Sequence, residues 1–257
     1  NGAIKDMLQN HLLQLVCLVA MEPPSNFKPE LVRDEKLKVI QSLKKQEINN
    51  NFILGQYAKG KINNRNVNSY KKDVKNNSSL TETFIALKLY IENWRWAGVP
   101  FYLRTGKRLK KQNSEIVITF KSLPHFIFDK NVSGEIKANQ LIITLQPDEG
   151  LKVLLMTKEP GPGGLRLNPS YLNLSFANSY NKRIPNAYER LLMDVVRGNQ
   201  TLFMSRNEVE AAWKWIDPII QSIHKTRKRP ENYKSGSWGP QSSIKLMEND
   251  NRSWFQI

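Results

Sequence analysis

The stretch Asp6-Met7-Leu8-Gln9-Asn10-His11-Leu12-Leu13-Gln14 crowds a carboxylate, two amides and an imidazole into a segment of helical apolar spacing. Histidine is the side chain best poised to accept a proton near neutral pH, and an aspartate can hold a hydroxyl. A buried helix has little reason to carry so many polar groups unless something polar docks there. On residue chemistry alone, a proton-accepting site and a hydrogen-bonded core histidine account for His11 equally well. Five residues on an ideal α-helix turn through about 140°, so Asp6 and His11 share one ligand only under a condition. The ligand must lie across the helix, or the first turn must be distorted.

A second candidate is Gly98-Val99-Pro100-Phe101-Tyr102-Leu103-Arg104-Thr105-Gly106-Lys107-Arg108-Leu109. Two basic residues follow Gly106 beyond an apolar run, so the backbone can turn and present the Lys107 ammonium to phosphate or hydroxyl oxygens. A solvated loop accounts for the same residues. No metal site is expected, because His11, His125, His224 and Cys17 lie far apart and show no ligand spacing. His125 and His224 read as surface residues. Gly161-Pro162-Gly163-Gly164 reads as a loop rather than a phosphate cradle, since no helix follows it.

The elements that must position these groups read as follows. Residues 2–21 are helical up to Pro23-Pro24, and Asp34–Leu43 is a more polar helix after Pro29. Phe52–Lys59 is a short strand containing Gly55, and residues 60–80 are a polar Asn/Lys/Ser loop. Strands are expected at Phe84–Ile91, Glu115–Phe120, Gln140–Leu145, Leu151–Met156 and Tyr171–Phe176. Asp148-Glu149-Gly150 joins the third and fourth of these as a hairpin. Ala187–Val196 is helical, and Ser205-Arg206-Asn207-Glu208 is a capping box opening another helix through Trp215. Residues 225–257 read as a basic tail punctuated by Gly and Pro. Closely spaced strands without intervening helices imply the α+β class: a large, mostly antiparallel β-sheet with helices packed on one face.

The chain of 257 residues carries a formal net charge of +16. Scattered lysines among asparagines, without interleaved aromatics, argue against a nucleic-acid partner, and the same field suits a small anionic substrate. The longest apolar run, Leu12–Met21, is about half a membrane span, so no membrane partner is expected. The single Cys17 rules out an intrachain disulfide and fits a reducing, cytoplasmic setting. A first residue of Asn1 rather than Met fits a fragment or processed product.

Taken together, these segments resemble the C-terminal domain of glucose-6-phosphate dehydrogenase, bacterial type. The resemblance rests on Asp6–Gln14, Trp94–Leu109, Gln146–Gly150, Ala187–Leu192, Ala212–Trp215 and Gly236–Pro240, in the family's order. It implies that residues 1–257 form one substrate-binding and dimerisation domain, with the NADP-binding Rossmann domain absent from this sequence. It implies oxidation of glucose 6-phosphate at C1 to 6-phosphogluconolactone, the first step of the pentose phosphate pathway, with hydride transfer to NADP. In that scheme His11 matches the family's general base, Asp6 a sugar-binding carboxylate and Lys107 a substrate-binding lysine. The sheet implies a homodimer or homotetramer. Gln112 stands where the family has a second basic substrate residue, which Lys110 or Lys111 can replace. Arg104 lies near a region where some members hold a second, structural NADP. The family's glycine-rich loop and its Asp-His-Tyr segment, which orients the base, do not occur here, so the chain alone is expected to be inactive. Alternatives are a non-enzymatic dimerisation or regulatory remnant of that enzyme, and a basic nucleic-acid binder.

Overall fold

In the computed structural model, which describes residues 2–45, 51–125, 136–162, 166–179 and 185–255, the first element is not a regular α-helix. Ile4–Leu12 winds as a π-helix and runs directly into α1, Leu13–Ala20. The amide of Leu13 bonds the carbonyl of Leu8, five residues back, which is the π pattern. α2, Pro29–Gln41, starts earlier than expected because Pro29 occupies its first turn, where a missing N–H costs nothing.

β1 (Phe52–Ala58) is followed by β2 (Gly60–Ile62), β3 (Arg65–Val67) and the short α3 (Tyr70–Asp73). The expected loop over 60–80 is therefore structured. Ile62 pairs with Arg65 across Asn63 and Asn64, both at positive φ (47° and 62°), as a two-residue hairpin turn demands. β4 (Phe84–Leu89), β5 (Phe101–Gly106), β6 (Ser114–Thr119), β7 (Gln140–Gln146), β8 (Gly150–Lys158) and β9 (Leu167–Ser175) follow. Then come α4 (Phe176–Ser179), α5 (Ala187–Arg197), α6 (Arg206–Thr226), β10 (Glu231–Lys234) and α7 (Gln241–Glu248). The expected basic tail thus contains a strand and a helix, and Tyr233 on that strand is buried. The reading of Gly161–Gly164 as a loop falls partly outside the described residues.

The chain divides into two compact units: residues 1–111 with 188–256, and residues 112–187. The α+β class holds, with the strands shared between the units. The second unit is an antiparallel meander in the order β6-β7-β8-β9, and its β7–β8 hairpin turns at Asp148-Glu149-Gly150 as expected.

The first unit holds the site. Its sheet runs β10-β1-β4-β5, antiparallel except for β10, which lies parallel to β1 with Tyr233 opposite Tyr57. Successive strand residues point to opposite faces. Phe52 and Leu54 of β1 and Ile85, Leu87 and Leu89 of β4 pack with Leu8, Leu13, Val16, Val39, Trp215 and Ile216 from the helices. On the other face, Ile53, Tyr57, Phe84 and Ala86 pack with Tyr233 and Leu246. The long helices cover one face as expected, and the C-terminal segment covers the other.

One polar cluster knits the helical layer. Ser205 caps α6 by accepting the Glu208 amide, and the Glu208 carboxylate takes the Ser205 amide at 2.7 Å, which is the expected capping box. Glu208 is fully buried and lies 2.7 Å from Lys36 of α2, which also donates to Gln14 of α1. Removing one partner of such a pair would strand a buried charge.

Among the described residues no helix is long and apolar enough to cross a membrane, and no group of three or more His, Cys, Asp or Glu is placed to hold a metal ion.

Candidate functional site

A cavity of about 170 Å³ opens in the first unit between the π-helical segment and the turn after β5. Asp6 and Met7 line one wall, Lys107 and Thr105 the other, and Glu82 and Tyr70 close it. Two of the three residues singled out in the sequence, Asp6 and Lys107, therefore meet at one cavity despite their separation along the chain.

His11 does not line the cavity. It lies five positions beyond Asp6 on the same segment, and both side chains are exposed. In a π-helix the amide of residue i+5 bonds the carbonyl of residue i, so residues five apart lie nearer one another around the axis than on an α-helix. The segment is thus distorted from a regular α-helix between Asp6 and His11. Gln9, between them, is buried.

The start of the π-segment is fastened by Glu82. Its backbone carbonyl accepts the Ala3 amide at 3.0 Å and its carboxylate accepts the Ile4 amide at 3.1 Å. A carboxylate at a helix N-terminus satisfies an orphan donor and meets the positive end of the helix dipole. A Cβ at Gly2 would overlap the Glu82 carboxylate, so a larger residue there would push that side chain from its place.

The Lys107 wall is tied more heavily. The Lys107 amide bonds the Thr83 carbonyl at 2.9 Å, and its carbonyl accepts from the buried Tyr233 hydroxyl at 2.6 Å. Arg108, in the left-handed region at φ 55°, has its carbonyl on the Gly236 amide, and the Lys110 amide bonds Ser237. The Arg108 guanidinium pairs with Asp73 at 2.8 Å and stacks on Tyr57 at 4.4 Å. Of the two basic residues after Gly106, Arg108 is spent on structure. No carboxylate among the described residues pairs with Lys107, which stays exposed at the rim.

A larger open groove of about 540 Å³ beside α2 holds none of these groups, and its Lys38 is paired with Glu35 at 2.7 Å. Lys110 and Lys111, the alternatives to Gln112, are both exposed. Arg104 lies between the rings of Trp238 (5.1 Å) and Trp254 (4.5 Å). Sequence reasoning missed Glu82, Thr83 and Tyr233. The first two sit in a polar run ahead of a strand, and Tyr233 in a segment that reads as tail.

The profile of the family described as "Glucose-6-phosphate dehydrogenase, C-terminal domain" matches residues 1–255. Glucose-6-phosphate 1-dehydrogenase of Rhizobium meliloti (strain 1021) is 54% identical over 256 residues, covering 98% of this chain and 52% of the relative. That of Mycolicibacterium smegmatis is 49% identical over 257 residues, covering 99% and 52%. The chain spans about half the length of these relatives. Among solved structures, glucose-6-phosphate dehydrogenase in complex with its substrate glucose-6-phosphate matches with TM-score 0.88 at 31% identity, over 99% of this chain and 51% of that one. Glucose-6-phosphate 1-dehydrogenase from Mycobacterium avium matches with TM-score 0.82 at 31% identity, over 100% and 51%. With a profile match along nearly its whole length and relatives at about half identity, this chain belongs to the glucose-6-phosphate dehydrogenase C-terminal domain family.

Proposed function

We propose that residues 1–257 are the substrate-binding and proton-accepting part of a glucose-6-phosphate dehydrogenase, oxidising glucose 6-phosphate at C1 to 6-phosphogluconolactone. The observation that carries this reading is the meeting of Asp6 and Lys107 at one cavity, with His11 one π-turn along the Asp6 segment. Lys107 supplies a positive charge for the anionic substrate, and Asp6 accepts from a sugar hydroxyl. His11 takes the proton of the C1 hydroxyl while the C1 hydride departs, so that the C1–O bond gains its second pair as the lactone carbonyl forms.

The hydride acceptor in this reading is a nicotinamide nucleotide, NADP, which supplies the oxidation when bound. The cavity of about 170 Å³ brings together groups suited to a sugar phosphate, the Asp6 carboxylate and the Lys107 ammonium. The resemblance places coenzyme binding, and the aspartate that orients the base, in segments this sequence does not contain. His11, exposed and without a carboxylate partner among the described residues, agrees with that division.

Assembly as a homodimer through the sheet is part of the same reading. Leu172 and Leu174, on one face of β9, are exposed at 64% and 47%, an apolar patch suited to a second copy.

The test is NADPH formation from glucose 6-phosphate, measured for the enzyme that carries this chain together with its coenzyme-binding part and for this chain alone. Turnover by the first and none by the second is expected. Substantial turnover by the chain alone would overturn the division of labour.

A further inference from the structure

We propose that Tyr233 is a positioning residue for the substrate-binding site, its hydroxyl setting where Lys107 stands at the cavity. The inference rests on the reading of Lys107 as a substrate ligand given above.

The donors and acceptors around this hydroxyl close into one directed chain. The Tyr57 amide donates to the Thr83 hydroxyl at 3.0 Å. A hydroxyl has one proton to give, and the Thr83 and Tyr233 hydroxyls lie 3.1 Å apart. The Tyr233 proton goes to the Lys107 carbonyl, its shorter contact at 2.6 Å, so Thr83 donates to Tyr233. The Lys107 amide returns to the Thr83 carbonyl at 2.9 Å. Each proton is used once, and the last two bonds grip Lys107 by both of its backbone polar groups.

Glu82, the neighbour of Thr83, holds the start of the Asp6 segment. Two adjacent residues therefore bind the two walls, and Tyr233 locks the second of them. The ring cannot drift, since Tyr233 is 3% exposed and packs on Phe84 with ring centres 5.4 Å apart. Burial pushes its hydroxyl up to about 12, so it stays a donor throughout the range in which enzymes work.

The experiment is a double-mutant cycle in the full enzyme, reading KM for glucose 6-phosphate, kcat and Tm. Tyr233→Phe keeps the ring and deletes the donor. It is expected to raise KM about tenfold with kcat within about threefold, in line with loss of one hydrogen bond at a buried carbonyl. In a Lys107→Ala background, where no ammonium remains to be placed, the same change should move KM less than about twofold. Thr83→Val, which breaks the chain one link earlier, should raise KM in the same direction and serves if Tyr233→Phe does not fold. An unchanged KM in Tyr233→Phe overturns the inference. So does an equal rise in both backgrounds, because that marks a general structural effect. If Lys107→Ala itself leaves KM unchanged, the reading of Lys107 fails and this inference fails with it. A KM raised by Lys107→Ala but not by Tyr233→Phe overturns this inference alone.

Discussion

The two walls of the cavity are built by opposite means. The Lys107 wall is a turn clamped through Thr83, Tyr233, Gly236 and Ser237, with its neighbouring cation paired to Asp73. The wall carrying Asp6, and beyond it His11, is an irregular helix held at its start by Glu82 and through its buried face by Ile4 and Leu8. A group that grips a charged substrate gains from being fixed before the substrate arrives, because less ordering remains on binding. In the proposed reading His11 exchanges a proton, and its imidazole stands exposed on the π-segment. The comparison teaches that one cavity can join a wall clamped at both backbone groups of one residue to a wall fastened chiefly at its start.

The strongest test of this contrast is His11→Asn in the full enzyme. Removing a general base lowers turnover by about a hundredfold or more, and KM should move little because the imidazole lies outside the cavity lining. Steady-state kinetics with a pH profile decide it, and near-normal kcat would remove His11 from the role. Lys107→Ala comes next. Loss of a charge-assisted contact is worth about 1.5–3 kcal/mol, so KM should rise by roughly 10–100-fold while kcat changes far less. A kcat loss matching that of His11→Asn would show that the two walls do not divide the work.

Glu82→Ala addresses the other wall. It frees the Ile4 amide at the start of the π-segment and should lower stability by about 1 kcal/mol, as loss of a helix cap does. Thermal unfolding measures that loss. If Asp6 is placed through this anchor, KM should rise severalfold as well. A fall in stability with unchanged KM would mean that the apolar face alone positions the segment.

How much of this was legible follows from the range of each interaction. The capping box at Ser205 and Glu208 and the hairpin at Asp148-Glu149-Gly150 are local, and both were readable. The hairpin at Asn63-Asn64 carried its signal too, in two residues tolerant of positive φ, but the polar composition of the tract obscured it. The π-winding was not readable. Its side chains keep helix-like apolar spacing, and only the geometry distinguishes bonds to the fifth residue from bonds to the fourth. Asp6 and Lys107 could be named from residue types, but their meeting depends on Glu82 and Thr83, which join elements far apart in the chain. Tyr233 was the least legible, since parallel pairing of β10 with β1 brings it to a turn more than a hundred residues earlier and leaves no local pattern.

Arg108→Ala gives the smallest effect and separates the two basic residues most directly. From sequence, two basic residues follow Gly106, and of these only Lys107 reads as a substrate ligand. In the structure Arg108 turns to Asp73, the Asn68 carbonyl and the Tyr57 ring. The ion pair is partly exposed, at 28% and 27%, so solvent screens it and its loss should cost no more than about 1 kcal/mol. The alanine keeps the strain of a left-handed backbone without the contacts that offset it, so the change should be measurable as a modest fall in Tm. KM should stay within about twofold, because the clamp on Lys107 runs through Thr83 and Tyr233 and none of its bonds passes through the guanidinium. A KM rise comparable to that of Lys107→Ala would place Arg108 on the substrate, and the clamped wall would then carry two ligands instead of one ligand and one brace.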